Sequence, residues 1–155
     1  MKIGLGCDHA GYEGPPPLYK PSIKEYLEKR GFEIMDYGTF GPDSVDYPDF
    51  AKNLCEGIRK GEIEKGILIC GTGIGMSISA NKFPWIRAAV CTTPLMATLS
   101  RTHNDSNVLC LGRRILSLEE CIKIIDIWLD TPFSGEERHC RRIEKVTKLW
   151  RNEIC

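Results

Sequence analysis

Cys70 is followed by three glycines at alternate positions, in Ile69-Cys70-Gly71-Thr72-Gly73-Ile74-Gly75-Met76-Ser77. A thiolate is both a nucleophile and a base, and nearby helix N–H groups favour it over the thiol. A glycine-rich turn from a strand into a helix converges its backbone N–H groups on one point, where they hold an anion. Beside a base, such a nest also stabilises the oxygen charge of an enediolate, formed when a proton leaves the carbon next to a carbonyl. The pattern therefore fits aldose–ketose isomerisation. A plain tight turn accounts for one of these glycines, not for three.

Two nucleotide motifs fail on spacing. A dinucleotide fingerprint needs glycine at position 76, where Met76 stands, and an acidic residue further on; from Gly71 to Asn104 there is no Asp or Glu. A P-loop needs Gly-Lys-Ser/Thr at the helix start, and Gly75 is followed by Met76 and Ser77.

Other polar residues fit the same chemistry. Asp8 and His9 follow the first apolar run, and His103 lies in the polar stretch Arg101-Thr102-His103-Asn104-Asp105. Imidazole titrates near neutrality and suits acid–base traffic. Arg138 and Arg142 stand four apart, which on a helix aims two guanidinium groups in one direction, and Arg114 adds a third bidentate phosphate donor. Solvated surface charge is the competing reading for each arginine alone.

These residues need elements to hold them. Apolar runs at 2–7, 32–38, 66–71, 86–91 and 107–112 read as buried strands. Between and after them, 22–30, 49–60, 75–82, 94–102, 117–129 and 136–152 have helical character, with a capping box at Ser117-x-x-Glu120 and a glycine stop at Gly31. The alternation predicts an α/β fold: a three-layer α/β/α sandwich, doubly wound and Rossmann-like, on a mostly parallel five-stranded sheet. Cys70 then sits at the carboxyl end of a strand, where open α/β sheets bind ligands. In the last helix Cys140, Ile143, Val146 and Trp150 form one stripe. The stretch 13–21, with four prolines, reads as an inserted stiff loop that is not regular helix.

The length of 155 residues suits one domain, and Lys plus Arg equal Asp plus Glu at 21 each, so no long-range field recruits a nucleic acid or an anionic membrane. Neither a signal peptide nor a membrane span is read, and a cytoplasmic protein is expected. The eight cysteines contain no CxxC and stand 11 or more positions apart, so nearly all are expected to be reduced and structural.

Gly-Cys-Asp8-His9-Ala-Gly, Asp46-Tyr47-Pro48, Ile-Cys70-Gly-Thr72-Gly-Ile-Gly75, Ala80-Asn81-Lys82 and Arg-Thr-His103-Asn104-Asp105-Ser-Asn-Val-Leu occur in this order. Together they resemble the type B ribose-5-phosphate isomerases and their galactose-6-phosphate and allose-6-phosphate isomerase relatives, over nearly the whole chain. The resemblance implies a cofactor-free, metal-independent isomerase of the pentose phosphate pathway. It also implies a homodimer or dimer of dimers whose active sites are shared between subunits. It implies Cys70 as the base moving a proton between C1 and C2, Gly71, Gly73, Ile74 and Gly75 as the enediolate nest, and Thr72 as a polar helper. His103 is implied as the ring-opening acid/base. Asp8, His9, Tyr47 and Asn104 are implied as sugar and phosphate contacts, with Arg114, Arg138 and Arg142 near the phosphate.

Three other readings stay open on sequence: an isomerase of a six-carbon sugar phosphate, a thiol sensor holding a phosphate ligand without turnover, and a cysteine hydrolase using His103. The proline-rich stretch departs from the family pattern and borders Asp8-His9. It is expected to shape the pocket rim without supplying catalytic groups. Shortening it leaves kcat within tenfold of wild type; a larger loss in a steady-state assay overturns this.

Overall fold

The computed structural model describes residues 1–151. Its strands are β1 (Lys2–Cys7), β2 (Glu33–Asp36), β3 (Lys65–Cys70), β4 (Ala88–Val90) and β5 (Val108–Gly112). Its helices are α1 (Tyr19–Lys29), α2 (Tyr47–Arg59), α3 (Ile74–Ala80), α4 (Pro94–Thr102), α5 (Leu118–Asp130) and α6 (Glu137–Lys148). The strands form one sheet in the order β2-β1-β3-β5-β4, with every pairing parallel. A wholly parallel sheet needs cover on both faces, and its central strands are apolar throughout. In β3, Ile67 and Ile69 pack among Ile23 and Leu27 of α1 and Ile124, Ile125 and Trp128 of α5. Leu68 and Cys70 pack the other way, among Ala51, Leu54 and Cys55 of α2 and Met76 and Ala80 of α3.

The sequence expectations hold for every strand and helix, to the residue for β1 and α4 and with shifted ends for the others. Helix α1 begins at Tyr19, so Tyr19, Lys20 and Pro21 are helical where a non-helical loop was expected. Pro21 is the third residue of the helix, and first-turn amides have no intrahelical acceptor, so its missing N–H costs nothing. Within the stretch 13–21, only Glu13–Leu18 lies outside regular structure. Helix α2 starts at Tyr47, with Pro48 in its first turn. Helix α6 ends at Lys148 and passes into a 3-10 turn over Leu149–Arg151. Asn152, the expected end of that helix, lies outside the described residues.

Helix ends follow their chemistry. Ser117 accepts from the Glu120 N–H at 3.1 Å while Glu120 accepts from the Ser117 N–H at 2.7 Å, the reciprocal capping box. Gly31 takes φ +87° just past α1.

The turn from β3 into α3 lies against the end of β5. A Cβ on Gly112 would stand 2.7 Å from the Thr72 carbonyl carbon and oxygen, and one on Gly73 would stand 3.1 Å from the Leu111 carbonyl carbon. Gly73 also takes φ +80°, the left-handed region open to glycine. Gly112→Ala must therefore push backbone against backbone. It lowers the unfolding free energy by about 1–3 kcal/mol in urea titrations; wild-type stability would mean that this contact is not tight.

Candidate active site

The sheet has two edges with different residues on them. Because β1 and β3 are neighbours and run parallel, their carboxyl ends bring Asp8 and Cys70 side by side, and the Asp8 N–H donates to the Ile69 carbonyl at 3.1 Å. Beyond β5 the backbone keeps step with β3: Arg113 N–H donates to the Cys70 carbonyl and Arg114 N–H to the Gly71 carbonyl, both at 2.9 Å. A cavity of about 400 Å³ opens there, lined by Asp8, Tyr47, Cys70, Gly71, Thr72, Ile74, Gly75, Ile78 and Arg114.

Cys70 is 4% exposed, and its Sγ accepts from the Gly73 N–H at 3.1 Å. The expected nest is thus partly used internally, since the Ile74 N–H also donates to Thr72 Oγ1 at 3.2 Å. The Tyr47 ring covers Gly75, where a Cβ would meet it at 2.8 Å. The Arg114 side chain crosses Gly71, where a Cβ would meet Nη1 at 2.8 Å. Asp8 caps the following 3-10 turn through Ala10 N–H at 2.9 Å. His9 is half-buried, accepts from Val45 N–H at Nδ1 at 3.3 Å, and stands outside the cavity lining.

The opposite edge holds the remaining expected residues. His103 and Asn104 precede β5, so they lie at the amino ends of the strands. The five residues of β5 separate them from the Cys70 edge by roughly 16 Å at 3.3 Å per residue. Within one chain, therefore, His103, Asn104, Arg138 and Arg142 do not join Cys70. Instead a groove of about 560 Å³ contains His103, Asn104, His139, Arg142, Ile143 and Trp150 among its walls. Arg138 pairs with Glu136 at 2.8 Å on the surface. The loop carrying His103 is anchored by Asp105, which takes φ +45° and accepts from Arg101 at 2.8 Å and Arg87 at 2.9 Å.

Two residues were missed in the sequence. His139 is the buried residue of α6, stacked on His103 with centroids 4.4 Å apart, while Cys140 is exposed. The face on the groove carries His139, Ile143, Val146 and Trp150, of which only His139 is buried; His139 and Cys140 both fit the helical period, and the polar one was passed over. Burial, then the neighbouring His103, lowers the His139 pKa. The second is Glu13, whose carboxylate pairs with Arg114. Nothing in its spacing marks it, because the partners are 101 positions apart.

Asp8 is 6% exposed, and burial raises its carboxyl pKa against the Ala10 N–H, His9 and Arg114, which lower it. A raised native pKa means the folded chain binds more protons than the unfolded chain, so this group's contribution falls as pH rises through that pKa. Asp8→Asn keeps an acceptor for Ala10 and removes the charge. Its Tm rises above wild type by on the order of 2 °C at pH 8, and the gain vanishes at pH 3, below the ordinary carboxyl value of 3.8. Thermal unfolding at the two pH values checks it; a gain independent of pH sinks the assignment.

Comparison with known proteins agrees with this architecture. Residues 3–146 match the family model described as Ribose/Galactose Isomerase. Ribose-5-phosphate isomerase B of Escherichia coli is 45% identical over 148 residues, 96% of this chain and 95% of that protein. The solved structure of Clostridium thermocellum ribose-5-phosphate isomerase B is 48% identical, covers 99% of both chains, and superposes with a TM-score of 0.93. That of the Mycoplasma genitalium enzyme, solved with bound ribulose-5-phosphate, is 37% identical over 97% of this chain and 96% of its own, with a TM-score of 0.88. The chain belongs to the ribose/galactose isomerase family.

Proposed function

We propose that this chain interconverts D-ribose 5-phosphate and D-ribulose 5-phosphate through an enediolate, with Cys70 as the base. The observation that carries the reading is the position of the Cys70 sulfur: buried at the end of β3, fixed by the Gly73 N–H, and facing a cavity with Asp8, Thr72 and Arg114 on its walls. The relatives named for this reaction, one solved with the ketose phosphate bound, support the choice of substrate.

The residues divide the work as follows. The Cys70 thiolate takes the proton from C2 of the open-chain aldose and returns it to C1, so the thiolate is regenerated each cycle. As C2 loses its proton, negative charge grows on the C1 oxygen, and the N–H groups of the glycine turn stabilise it. The proton on the C2 hydroxyl must pass to the C1 oxygen, and Thr72 carries the hydroxyl placed to relay it. Asp8 and Tyr47 hold the sugar, and Arg114 supplies a guanidinium for the phosphate.

Ring opening and the rest of phosphate binding call for His103, Asn104, Arg138 and Arg142, which sit on the far edge of the same sheet. A second copy of the chain brings them to Cys70. Exposed apolar side chains support such an assembly: Ile74 and Ile78 beside the cavity, Leu95 and Leu99 on α4, and Leu149 and Trp150 beside the groove. No helix among the described residues is long and apolar enough to cross a membrane. The seven described cysteines are free.

Turnover of ribose 5-phosphate in the presence of a chelator tests the chemistry. Wild type turns over, while Cys70→Ala and Cys70→Ser lose about 10²–10⁴ in kcat and still bind the sugar phosphate. A wild type that binds but converts neither pentose nor hexose phosphates overturns the reading. Shared sites have their own signature: Cys70→Ala and His103→Ala chains, inactive apart, are unfolded together and refolded as a mixture. Half the dimers are then mixed, with one intact site each, so activity returns to about one quarter of wild type. No recovery would place His103 and Cys70 of one chain in the same site.

A further inference from the structure

The proline-rich departure from the family pattern is stitched to the strand end that carries Arg114. Arg113 Nη2 donates to the Glu13 carbonyl at 3.4 Å, and its guanidinium lies over the Tyr19 ring, 4.2 Å from the centroid. Tyr19 in turn donates its hydroxyl to the Leu116 carbonyl at 2.7 Å. Gly14 takes φ +95°, the left-handed region that favours glycine, and lies close to the end of the Arg113 side chain. Both ends of the stretch, Glu13-Gly14 and Tyr19, are thus held by residues 113–116. The next arginine takes the side chain of the same residue: Arg114 Nε donates to Glu13 Oε2 at 3.1 Å, and Arg114 Nη2 to Glu13 Oε1.

This bidentate pair uses one edge of the guanidinium. Three of its five N–H donors remain, on Nη1 and the outer side of Nη2. Nη1 is the atom that lies across Gly71. The Arg114 side chain is 57% exposed and would otherwise sample many rotamers, and ordering it in advance removes an entropic penalty from ligand binding. An exposed ion pair adds little to stability, so the effect of Glu13 is geometric.

We propose that Glu13 is a positioning residue for Arg114: it grips the Nε–Nη2 edge and turns Nη1 toward the Gly71 end of the glycine turn, ready for the substrate's phosphate. The inference rests on the isomerase reading for the identity of the anion. The proline-rich stretch then serves as a brace that delivers one carboxylate, touching no reacting atom.

Steady-state kinetics on ribose 5-phosphate, for Glu13→Gln, Arg114→Lys and the double variant, test it. Glu13→Gln keeps the size of the side chain and loses the charged pair. Its KM rises about five- to tenfold with kcat within twofold, because an interaction felt equally by ground and transition states has been weakened. Lysine cannot form the bidentate pair, so Glu13→Gln adds nothing to KM in the Arg114→Lys background. Calorimetric titration with inorganic phosphate follows the same order and needs no turnover. If the wild type fails to isomerise, the functional reading falls, while the phosphate titration still judges Glu13. Unchanged or tighter binding in Glu13→Gln overturns the proposal, as does a kcat that falls with affinity or an effect that survives in the Arg114→Lys background.

Discussion

The site depends on β3 being hydrogen-bonded to β1 on one side and β5 on the other, all three parallel. In a parallel sheet every strand ends on the same edge. Three chain segments remote in sequence therefore deliver Asp8, Cys70 and Arg114 to one place without a long loop. The arrangement also limits what one chain can do. Any residue that precedes a strand is left on the other edge, and His103 and Asn104 precede β5. Glycines sharpen the convergence: Gly73 and Gly112 let the turn after β3 rest on the backbone of β5, so Cys70, Thr72 and Arg114 line one small cavity.

Much of this was legible in the sequence, for reasons that differ by element. Strand β1 matched to the residue because apolar positions, glycines and the polar Asp8 bound it on both sides. Helix α5 matched because its capping box is a local code. Helix α1 was begun too late because a proline run argues against helix, yet the third helical position tolerates Pro21. The Cys70 turn lines a cavity at the carboxyl edge, where the sequence placed it, since a thiol and glycines adjacent in sequence stay together in space. Edge assignment depends on which end of a strand a residue flanks, and the candidates fall at both ends, which the expectation of sites shared between subunits allows. Glu13 was invisible for a related reason, because its partner is set by tertiary packing of the brace. His139 was passed over in favour of Cys140, since a hydrophobic stripe ranks residues by polarity and a buried imidazole bonded to Ser134 at 2.8 Å does not score.

On the proposed reading the two edges carry complementary parts of one reaction, and a second copy of the chain brings them together. The Cys70 edge holds a thiol, a glycine turn and Arg114, which on that reading suffice for proton transfer within an open-chain sugar. The far edge holds two stacked imidazoles and Arg142 in an open groove. Glu13 holds the guanidinium beside the sulfur by its Nε–Nη2 edge. Assembly of two copies would then complete the constellation and cover Ile74 and Ile78 beside the cavity, excluding water from the place where the enediolate forms. On this account the exposed apolar residues and the divided polar ones are one design, in which the same association that buries the first unites the second.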